Sequence, residues 1–431
     1  MIKKLHNLTN LKSEKIYVFL YFLIFLFIGL SIFDDYGISI DEDNLRVVGF
    51  LSLEQIYKFF SINNIFEITN IIKEDSLAHA RDNTSTSGTF FDLPMAFIEY
   101  IFRISDSKDY FLLRHFFTFI IFFISSIYFY LIAKEKYKST VTGILATSFL
   151  ILSPRIFGES FFNNKDIVFM SFFIMGIYYA IKFLKNKNIL SLVSFALISA
   201  IIVNIRILGS ILPLIIIFFY SIIILRNKEE KLKQFLKIFL FFFIFLTFYF
   251  ILWPELWTDP INILIKTFNF MKNHFLSINI FYLGKYYFFS EIPWHYHLVN
   301  MFVSLPIVYT CFFLLGFFTV TRRLFTRLIN IDENNTNKDL WRGEKEMLDY
   351  IFLILFVSVL FTAIDTGKIS YNGWRHLYFI YPFIILIALN SLKIIYIRFY
   401  LVKASKAKKY LRKKFSFVYV LLFDSQSTIL F

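Results

Sequence analysis

The sequence predicts an all-α polytopic membrane protein, with about 10–11 transmembrane helices and with interfacial helices in the first outer loop. Of its 431 residues, 58% are hydrophobic, 21% are aromatic and only 18% are charged, and the mean hydropathy is +0.63. Soluble domains contain roughly 45–50% apolar and about 25% charged residues. Because a soluble fold cannot hide this much apolar surface, the composition excludes a soluble enzyme, a disordered chain and a fibrous protein.

The apolar residues are grouped in runs that are long enough to cross a bilayer. A helix needs about 20 apolar residues for this, since each residue adds about 1.5 Å. Ten runs are predicted as spans: 16–33, 111–132, 140–156, 167–186, 189–203, 207–225, 236–253, 298–320, 350–364 and 377–395. The first run follows a basic start and is interpreted as a retained signal anchor.

The charges orient these spans. If the N-terminus is cytoplasmic, the inner loops and the tail hold 30 of the 45 Lys and Arg residues, whereas 20 of the 31 Asp and Glu residues lie outside. This is the bias that the positive-inside rule describes. The net charge of +14 is therefore assigned to topology and not to nucleic-acid binding.

The same topology divides the chain into an integral membrane domain at 1–395 and a basic cytoplasmic tail at 396–431. The domain has two large outer loops, at 34–110 and 254–297. In the first outer loop, 44–62 and 90–104 have apolar residues at helical spacing, which predicts helices that lie at the membrane interface.

The first candidate for chemistry is an acidic stretch directly after the first span. Residues 34–43 include Asp34, Asp35, Asp41, Glu42 and Asp43. Acidic residues commonly flank an outer helix end, and Ser39 followed three residues later by Glu42 fits a capping box. The functional alternative is that a carboxylate held beside the membrane acts as a general base.

The second candidate is the predicted outer turn between the third and fourth spans. Its polar residues are Arg155, Glu159, Asn163, Asn164, Lys165 and Asp166. Asp166 could cap the fourth span. Alternatively, Lys165 and Arg155 could bind a phosphate group through charge-assisted hydrogen bonds.

The third candidate is the set of histidines and aromatic residues before the late spans, at 294–297 and 374–376. They could form an aromatic belt at the level of the headgroups. Alternatively, Arg375 and His376 could stabilise a phosphate as its charge grows. His295 and His297 are a weak metal pair, and no metal or other cofactor is expected.

Together these motifs resemble the C-type membrane glycosyltransferase superfamily, in its bacterial branch related to protein O-mannosyltransferases and aminoarabinose transferases. GISIDEDN resembles the first-loop acidic motif, SPRIFGESFFNNKD the second outer-loop motif, and YNGWRH at 371–376 the late outer-loop motif. The resemblance covers most of residues 15–395, although the chain lacks the large soluble insert of the bigger protein mannosyltransferases.

The resemblance implies sugar transfer from a polyprenyl-phosphate donor to a lipid, glycan or protein acceptor, at the periplasmic or extracytoplasmic face of the plasma (inner) membrane. Asp41, Glu42 and Asp166 are the expected catalytic residues. The expected donor-phosphate ligands are Lys165, Arg155, Arg375 and His376.

A transporter or lipid flippase without chemical turnover is the main alternative. Such proteins usually have ionisable residues at the middle of the membrane and helices broken by Gly or Pro. Here most charges lie at loop ends, and the chain has only 13 Gly and 8 Pro residues. A scaffold protein is a further alternative, which no motif favours.

Overall fold

The computed structural model describes residues 2–61, 68, 71–72, 88–226, 231–273, 278–329, 340–366 and 372–407. These residues are almost entirely helical, which confirms the predicted all-α membrane class. Within them, eight helices are long and apolar enough to cross a membrane, or nine if one bent pair is counted as a span. The predicted fifth span is an apolar helix of 17 residues, which is shorter than the eight membrane-length segments.

The first half of the chain forms nine helices within the described residues. They are α1 (Ile2–Ile32), α2 (Ile40–Phe59), α3 (Asp92–Ile101), α4 (Ser107–Tyr137), α5 (Thr140–Ile151), α6 (Pro154–Phe162), α7 (Asp166–Asn186), α8 (Ile189–Ile205) and α9 (Ile211–Arg226). Short 3₁₀ turns at Phe33–Asp35 and Ile207–Ser210 follow α1 and α8.

The second half adds six helices and one hairpin within the described residues. They are α10 (Lys231–Ile251), α11 (Pro260–Asn273), β1 (Asn279–Tyr282), β2 (Lys285–Phe288), α12 (Tyr296–Ser304), α13 (Ile307–Ile329), α14 (Gly343–Thr366) and α15 (Tyr381–Ala407). Strands β1 and β2 are antiparallel, with Phe281 opposite Tyr286. Further 3₁₀ turns lie at Pro254–Trp257, Phe289–Glu291 and Arg375–Ile380.

The predicted third span is broken. Its helices α5 and α6 meet at an angle of 69°, and α6 occupies most of the segment that was expected to be an outer turn. Pro154 explains the break, because a proline disfavours helical conformation in the residue before it and is well accommodated at the start of a new helix.

The predicted span at 298–320 has the wrong bounds. The structure divides this region into the short helix α12 and the membrane-length helix α13, which continues to Ile329. Leu305, between the two helices, has extended backbone angles, as expected for a residue that precedes Pro306. The proline therefore shifts the membrane-spanning segment toward the C-terminus.

The first loop is a packed pair of helices. Residues 45–53 of α2 are buried, and α2 packs on α3 so closely that a Cβ at Gly49 would lie 2.4 Å from the carbonyl oxygen of Asp92. The exposed apolar residues lie at the two ends of α2: Ile40 at its start, and Phe59 and the following Phe60 at its C-terminal end. Most of the apolar face of the predicted interfacial helix is thus covered by protein.

A buried ion triad connects this loop to the membrane bundle. Glu99 of α3 accepts hydrogen bonds from Arg46 of α2, and its second oxygen lies 2.9 Å from Nη2 of Arg114 in α4. All three side chains are buried. Breaking a buried ion pair costs about 3–5 kcal/mol, so the triad fixes α2 and α3 to α4.

The loop also contacts the segment between α10 and α11. Ser52 of α2 donates a hydrogen bond to Glu255, and Gln55 donates one to Thr258 at 3.1 Å. Thr89 donates to Ser52 at 2.9 Å. Burial raises the pKa of Glu255. These bonds join the two large loops that the sequence predicts on one face.

A second polar cluster joins side chains from four helices around Asp349. Asp349 of α14 pairs with Lys136 at the end of α4, at 2.5 Å, and with Arg323 near the end of α13, at 2.9 Å. Asn390 of α15 donates to Asp349 at 2.7 Å. This cluster connects four helices at the end of the bundle that the charge bias assigns to the cytoplasm.

Helix α15 does not end at the predicted boundary of 395 but continues to Ala407. The predicted basic tail at 396–431 is therefore helical over its first residues, and its remainder lies outside the described residues.

Candidate active site

The site is built around Asp166, the first residue of α7. Its carboxylate pairs with Arg206 at the end of α8, and lies 3.6 Å from Nε of Arg375 and 3.5 Å from Nδ1 of His376. Nδ2 of Asn163 donates to it at 3.1 Å. Only 4% of the Asp166 side chain is exposed, so this carboxylate is surrounded by positive and hydrogen-bonding groups.

Helix geometry explains why these groups meet. Asp166 begins α7, where backbone N–H groups and the helix dipole favour an anion, and Asn163 accepts from the Asp166 amide at 2.8 Å. Arg206 follows the last residue of α8, the antiparallel neighbour of α7, so the two side chains lie at the same end of the pair. Arg375 and His376 open the 3₁₀ turn that leads into α15 and packs on α7.

Asp41 reaches this cluster from the first loop. Its Oδ2 lies 2.6 Å from Nη2 of Arg375, so one guanidinium contacts both Asp41 and Asp166. The Asp41 side chain is 48% exposed, in contrast to the buried Asp166. The structure therefore brings together three predicted segments that are far apart in the chain, and leaves one carboxylate open.

Glu42 points away from this opening and is fully buried. One oxygen accepts from the backbone N–H of Ser39 at 2.7 Å, which completes the predicted capping box at the start of α2. The other oxygen lies 2.9 Å from Nε2 of His115 in α4. Both oxygens of Glu42 are thus engaged within the protein, and they fix the helix that carries Asp41.

Lys165 directly precedes Asp166, and the charges that act on it include carboxylates of the first loop as well as the Asp166 cluster. Burial and the positive charge of Arg206 lower its pKa, whereas Asp92, Asp166 and Asp41 act to raise it. The ammonium group therefore interacts electrostatically both with first-loop carboxylates and with the cluster around Asp166.

Asp92, the first residue of α3, is a buried carboxylate that the sequence analysis did not select. Burial raises its pKa to about 6, against the lowering effects of Lys165 and Arg114. Its Oδ1 accepts no hydrogen bond within the described part of the chain. The aspartate in FFDLP was visible only as one polar residue in an apolar segment, with no motif to mark it.

Arg155 is placed beside the site and not in the ion cluster itself. It donates to Tyr378 and, at 3.2 Å, to both Glu159 and the carbonyl oxygen of Asn372. Glu159 in turn accepts from Asn163 at 2.7 Å, and Asn163 donates to Asp166. Polar contacts therefore run without interruption from Arg155 to Asp166.

The turn before Arg375 is shaped by a glycine. Gly373 has a φ of +71°, and a Cβ there would lie 3.2 Å from Nη1 of Arg155. Its amide donates to the Tyr296 hydroxyl at 3.0 Å. The neighbouring His297 is buried, and burial together with the charge of His376 lowers its pKa to about 4. The His297 side chain is therefore uncharged at neutral pH.

Arg206 is the main cationic residue that the sequence analysis missed. It contacts both Asp166 and, at 3.1 Å, Nδ1 of His376. Its signal was an arginine in the three-residue outer turn after the fifth predicted span, where it was counted only as a topological charge. Because α7 and α8 are antiparallel neighbours joined by a short turn, the end of α8 lies near the start of α7, where Asp166 was already a candidate.

The arrangement combines fixed cations with an accessible carboxylate. Arg206, Arg375 and Lys165 oppose Asp41, Asp92 and Asp166, so an added anion would compete with the carboxylates for the same cations. Among the residues that the structure describes, no group of three or more His, Cys, Asp or Glu side chains is placed to hold a metal ion. Such a site suits the binding of a phosphate group and proton transfer to a carboxylate.

The fold and this site define a class: a polytopic membrane protein with clustered charges at one end of its helices. Residues 93–253 match the family model described as dolichyl-phosphate-mannose-protein mannosyltransferase. The match covers less than half of the chain and confirms a resemblance to the C-type membrane glycosyltransferase superfamily. No curated protein and no solved structure gives a significant match.

Proposed function

We propose that this protein transfers a sugar from a polyprenyl-phosphate donor to an acceptor hydroxyl on a lipid, glycan or protein. The observation that carries the proposal is the contact of Arg375 with both Asp41 and Asp166, which unites three distant segments in one site. The family match supports a lipid-linked sugar donor.

In the proposed reaction Asp41 is the general base. It accepts the proton of the acceptor hydroxyl while that oxygen forms a bond to the anomeric carbon of the sugar. The bond between this carbon and the phosphate oxygen breaks, and the lipid phosphate leaves with the electron pair. Asp41 suits this role better than Asp166 because about half of its side chain is open to a substrate.

The cations are proposed to stabilise the departing phosphate. Arg375, Arg206 and Lys165 are held close to one another before substrate arrives, so little reorganisation is needed as negative charge develops. A bound phosphate would share the Arg375 guanidinium with Asp41, so Arg375 would orient that carboxylate and bind the phosphate at the same time. His376 and Arg155 are proposed as further donors at the edge of the same site.

Asp166 and Glu42, which were grouped with Asp41 as catalytic residues, are better assigned to positioning. Asp166 holds Arg206, Arg375 and His376 in place, and Glu42 fixes the start of α2 through Ser39 and His115. Neither carboxylate has exposure comparable to that of Asp41. Both would act on the reaction through the groups that they orient.

The site is proposed to face the periplasmic or extracytoplasmic side of the plasma (inner) membrane, with the N-terminus in the cytoplasm. The charge bias of the loops supports this orientation. The site residues come from segments that this topology assigns to the outer face, and the polar cluster around Asp349 would then lie on the cytoplasmic side. A lipid-borne donor would reach the cations from the outer leaflet.

The test is sugar transfer by purified protein in lipid vesicles supplied with a polyprenyl-phosphate sugar. Asp41→Asn is expected to reduce the rate by at least 100-fold, since general-base catalysis contributes about 10²–10⁴-fold. Asp43→Asn is the matched control, because Asp43 lies in the same first turn of α2 and is exposed. It should keep the native rate.

A normally folded Asp41→Asn variant that transfers sugar at the native rate would remove Asp41 as the base. Sealed vesicles distinguish the transporter alternative, because a transporter would move the donor across the bilayer without forming a new glycosidic bond.

A further inference from the structure

Helix α11 has three different faces. Ile261, Leu264, Ile265 and Phe268 are exposed and fall within one stripe of roughly 100° around the helix axis, at 100° per residue. On another side, Ile263 packs on the cluster around Trp253, and Thr267 is buried. Asn262, Lys266 and Asn269 form a third side, which is polar and exposed.

Neither water nor the hydrocarbon core alone suits such a helix. In water, the stripe would leave four large apolar side chains unprotected. The helix has 14 residues and so is about 21 Å long, which is too short to cross a core of about 30 Å. Full immersion would also desolvate Lys266 and the two asparagines. An apolar side next to a polar side is the pattern of a helix at the membrane surface.

The turn that precedes α11 packs against the end of a membrane-length helix. Helix α10 exposes Phe239, Phe243, Leu246 and Phe250 along its length. Trp257, in the turn that leads into α11, donates its indole N–H to the carbonyl oxygen of Phe250 at 2.9 Å. Only the eight residues 252–259 separate the end of α10, with its exposed apolar surface, from the start of α11.

The hairpin after α11 provides an independent observation. Its turn residues Leu283 and Gly284 have φ values of +48° and +81°. Two positive φ values are typical of a tight hairpin turn that favours Asn-Gly or Asp-Gly, so a leucine is unfavourable there. This leucine is 69% exposed, and the neighbouring Phe281 and Tyr286 are exposed and contact each other. The hairpin thus presents an apolar tip that its own folding does not require.

We propose that α11 and the hairpin tip form an interfacial anchor that lies in the headgroup region of the membrane that α10 spans. The partner is the lipid surface itself. The stripe from Ile261 to Phe268 and the tip at Leu283 contact the acyl boundary, while Asn262, Lys266 and Asn269 face water or headgroups. This inference does not depend on the proposed sugar transfer.

The anchor can be tested with nitroxide labels at single cysteines. Cys311, the one cysteine of the sequence, is replaced by serine, and cysteines are introduced at Phe268, Ile265 and Leu283. Asn269 is the matched control, because it neighbours Phe268 but lies on the polar side of α11. The protein is reconstituted in vesicles of phosphatidylethanolamine and phosphatidylglycerol, and the accessibility of each label to oxygen and to a water-soluble nickel chelate is measured by power-saturation EPR.

Labels at Phe268, Ile265 and Leu283 should be several-fold more accessible to oxygen than to nickel, and the label at Asn269 should show the reverse. Equal nickel accessibility at Phe268 and Asn269 would overturn the proposal, because the stripe would then face water. It would also fail if the apolar positions were shielded from both reagents, as in a contact with another protein or a second copy. Oxygen preference at Asn269 as well would contradict an interfacial position. No sugar substrate is used, so failure here leaves the proposed transfer unaffected.

Discussion

Replacing Arg375 with lysine tests whether the shape of its side chain matters as well as its charge. Arg375 contacts Asp41 through Nη2 at 2.6 Å and approaches Asp166 through Nε at 3.6 Å. A lysine has a single ammonium group on a flexible chain and lacks the planar fork of arginine. Arg375→Lys should therefore keep the positive charge near Asp166 but lose the simultaneous contact with Asp41.

The size of the effect follows from the exposure of the lost contact. A hydrogen bond to a charged group contributes about 1.5–3 kcal/mol. Because the Asp41 side chain is 48% exposed, solvent screening favours the lower end of this range. A loss of about 1.4 kcal/mol in the transition state corresponds to a tenfold lower kcat/KM. Arg375→Met removes both contacts and the charge, and should cost about 100–1,000-fold, as for the loss of a group that stabilises developing charge.

The assay is the initial rate of sugar transfer in vesicles, measured over a range of polyprenyl-phosphate sugar concentrations. Arg322→Lys is the control, since Arg322 is exposed near the end of α13 and outside the site. It should retain the native kcat/KM. A folded Arg375→Lys variant with native kcat/KM would refute the reasoning, because a single charge would then be sufficient at this position.

Three further variants test the surroundings of the site. Folding raises the pKa of Asp92 from 3.8 to about 6, so ionisation of Asp92 destabilises the fold as pH rises through this range, by at most about 3 kcal/mol at 1.36 kcal/mol for each pH unit. Thermal unfolding should therefore show that Asp92→Asn is more stable than native protein at pH 7.5 and gains no stability at pH 4. A gain in stability confined to pH 4 would contradict this sign. Gly373→Ala should lower the free energy of unfolding by about 1–2 kcal/mol, because L-residues disfavour its positive φ; Gly37→Ala, with no atom within 4 Å of the added Cβ, is the control for the same measurement. Glu42→Ala should cost about 1–3 kcal/mol, because the buried His115 loses its partner, and an unchanged unfolding temperature would show that the contact has no structural role.

The helices were predictable because their signal is local. Every predicted span corresponds to a helix, since a run of apolar residues at membrane length needs no knowledge of the rest of the chain. Two of the errors in their bounds fall at prolines: Pro154 breaks the third span, and Pro306 shifts the eighth. Both residues were visible in the sequence, but hydropathy alone gives them little weight.

The site was only partly predictable, because it depends on which helices are neighbours in the folded protein. Asp41, Asp166 and Arg375 stood out by their place at span ends, and the fold connects them through ion pairs. Arg206 and Asp92 did not stand out, because each is a single charge beside an apolar helix. Their significance depends on which helices are neighbours, which the packing of α7 against α8 and of α2 against α3 decides. Glu42, which pairs with His115 of α4, is buried inside the protein, although Asp41 precedes it directly.

The buried ion pairs of Arg46 and Arg114 with Glu99 limit how substrates can enter and leave the site. If separating such a pair costs about 4 kcal/mol, the separated form would account for only about one molecule in a thousand at any moment. The helix that carries Asp41 is then expected to stay docked throughout turnover. Incoming and outgoing molecules would have to pass a stationary carboxylate, and any gating motion would fall to other parts of the polypeptide.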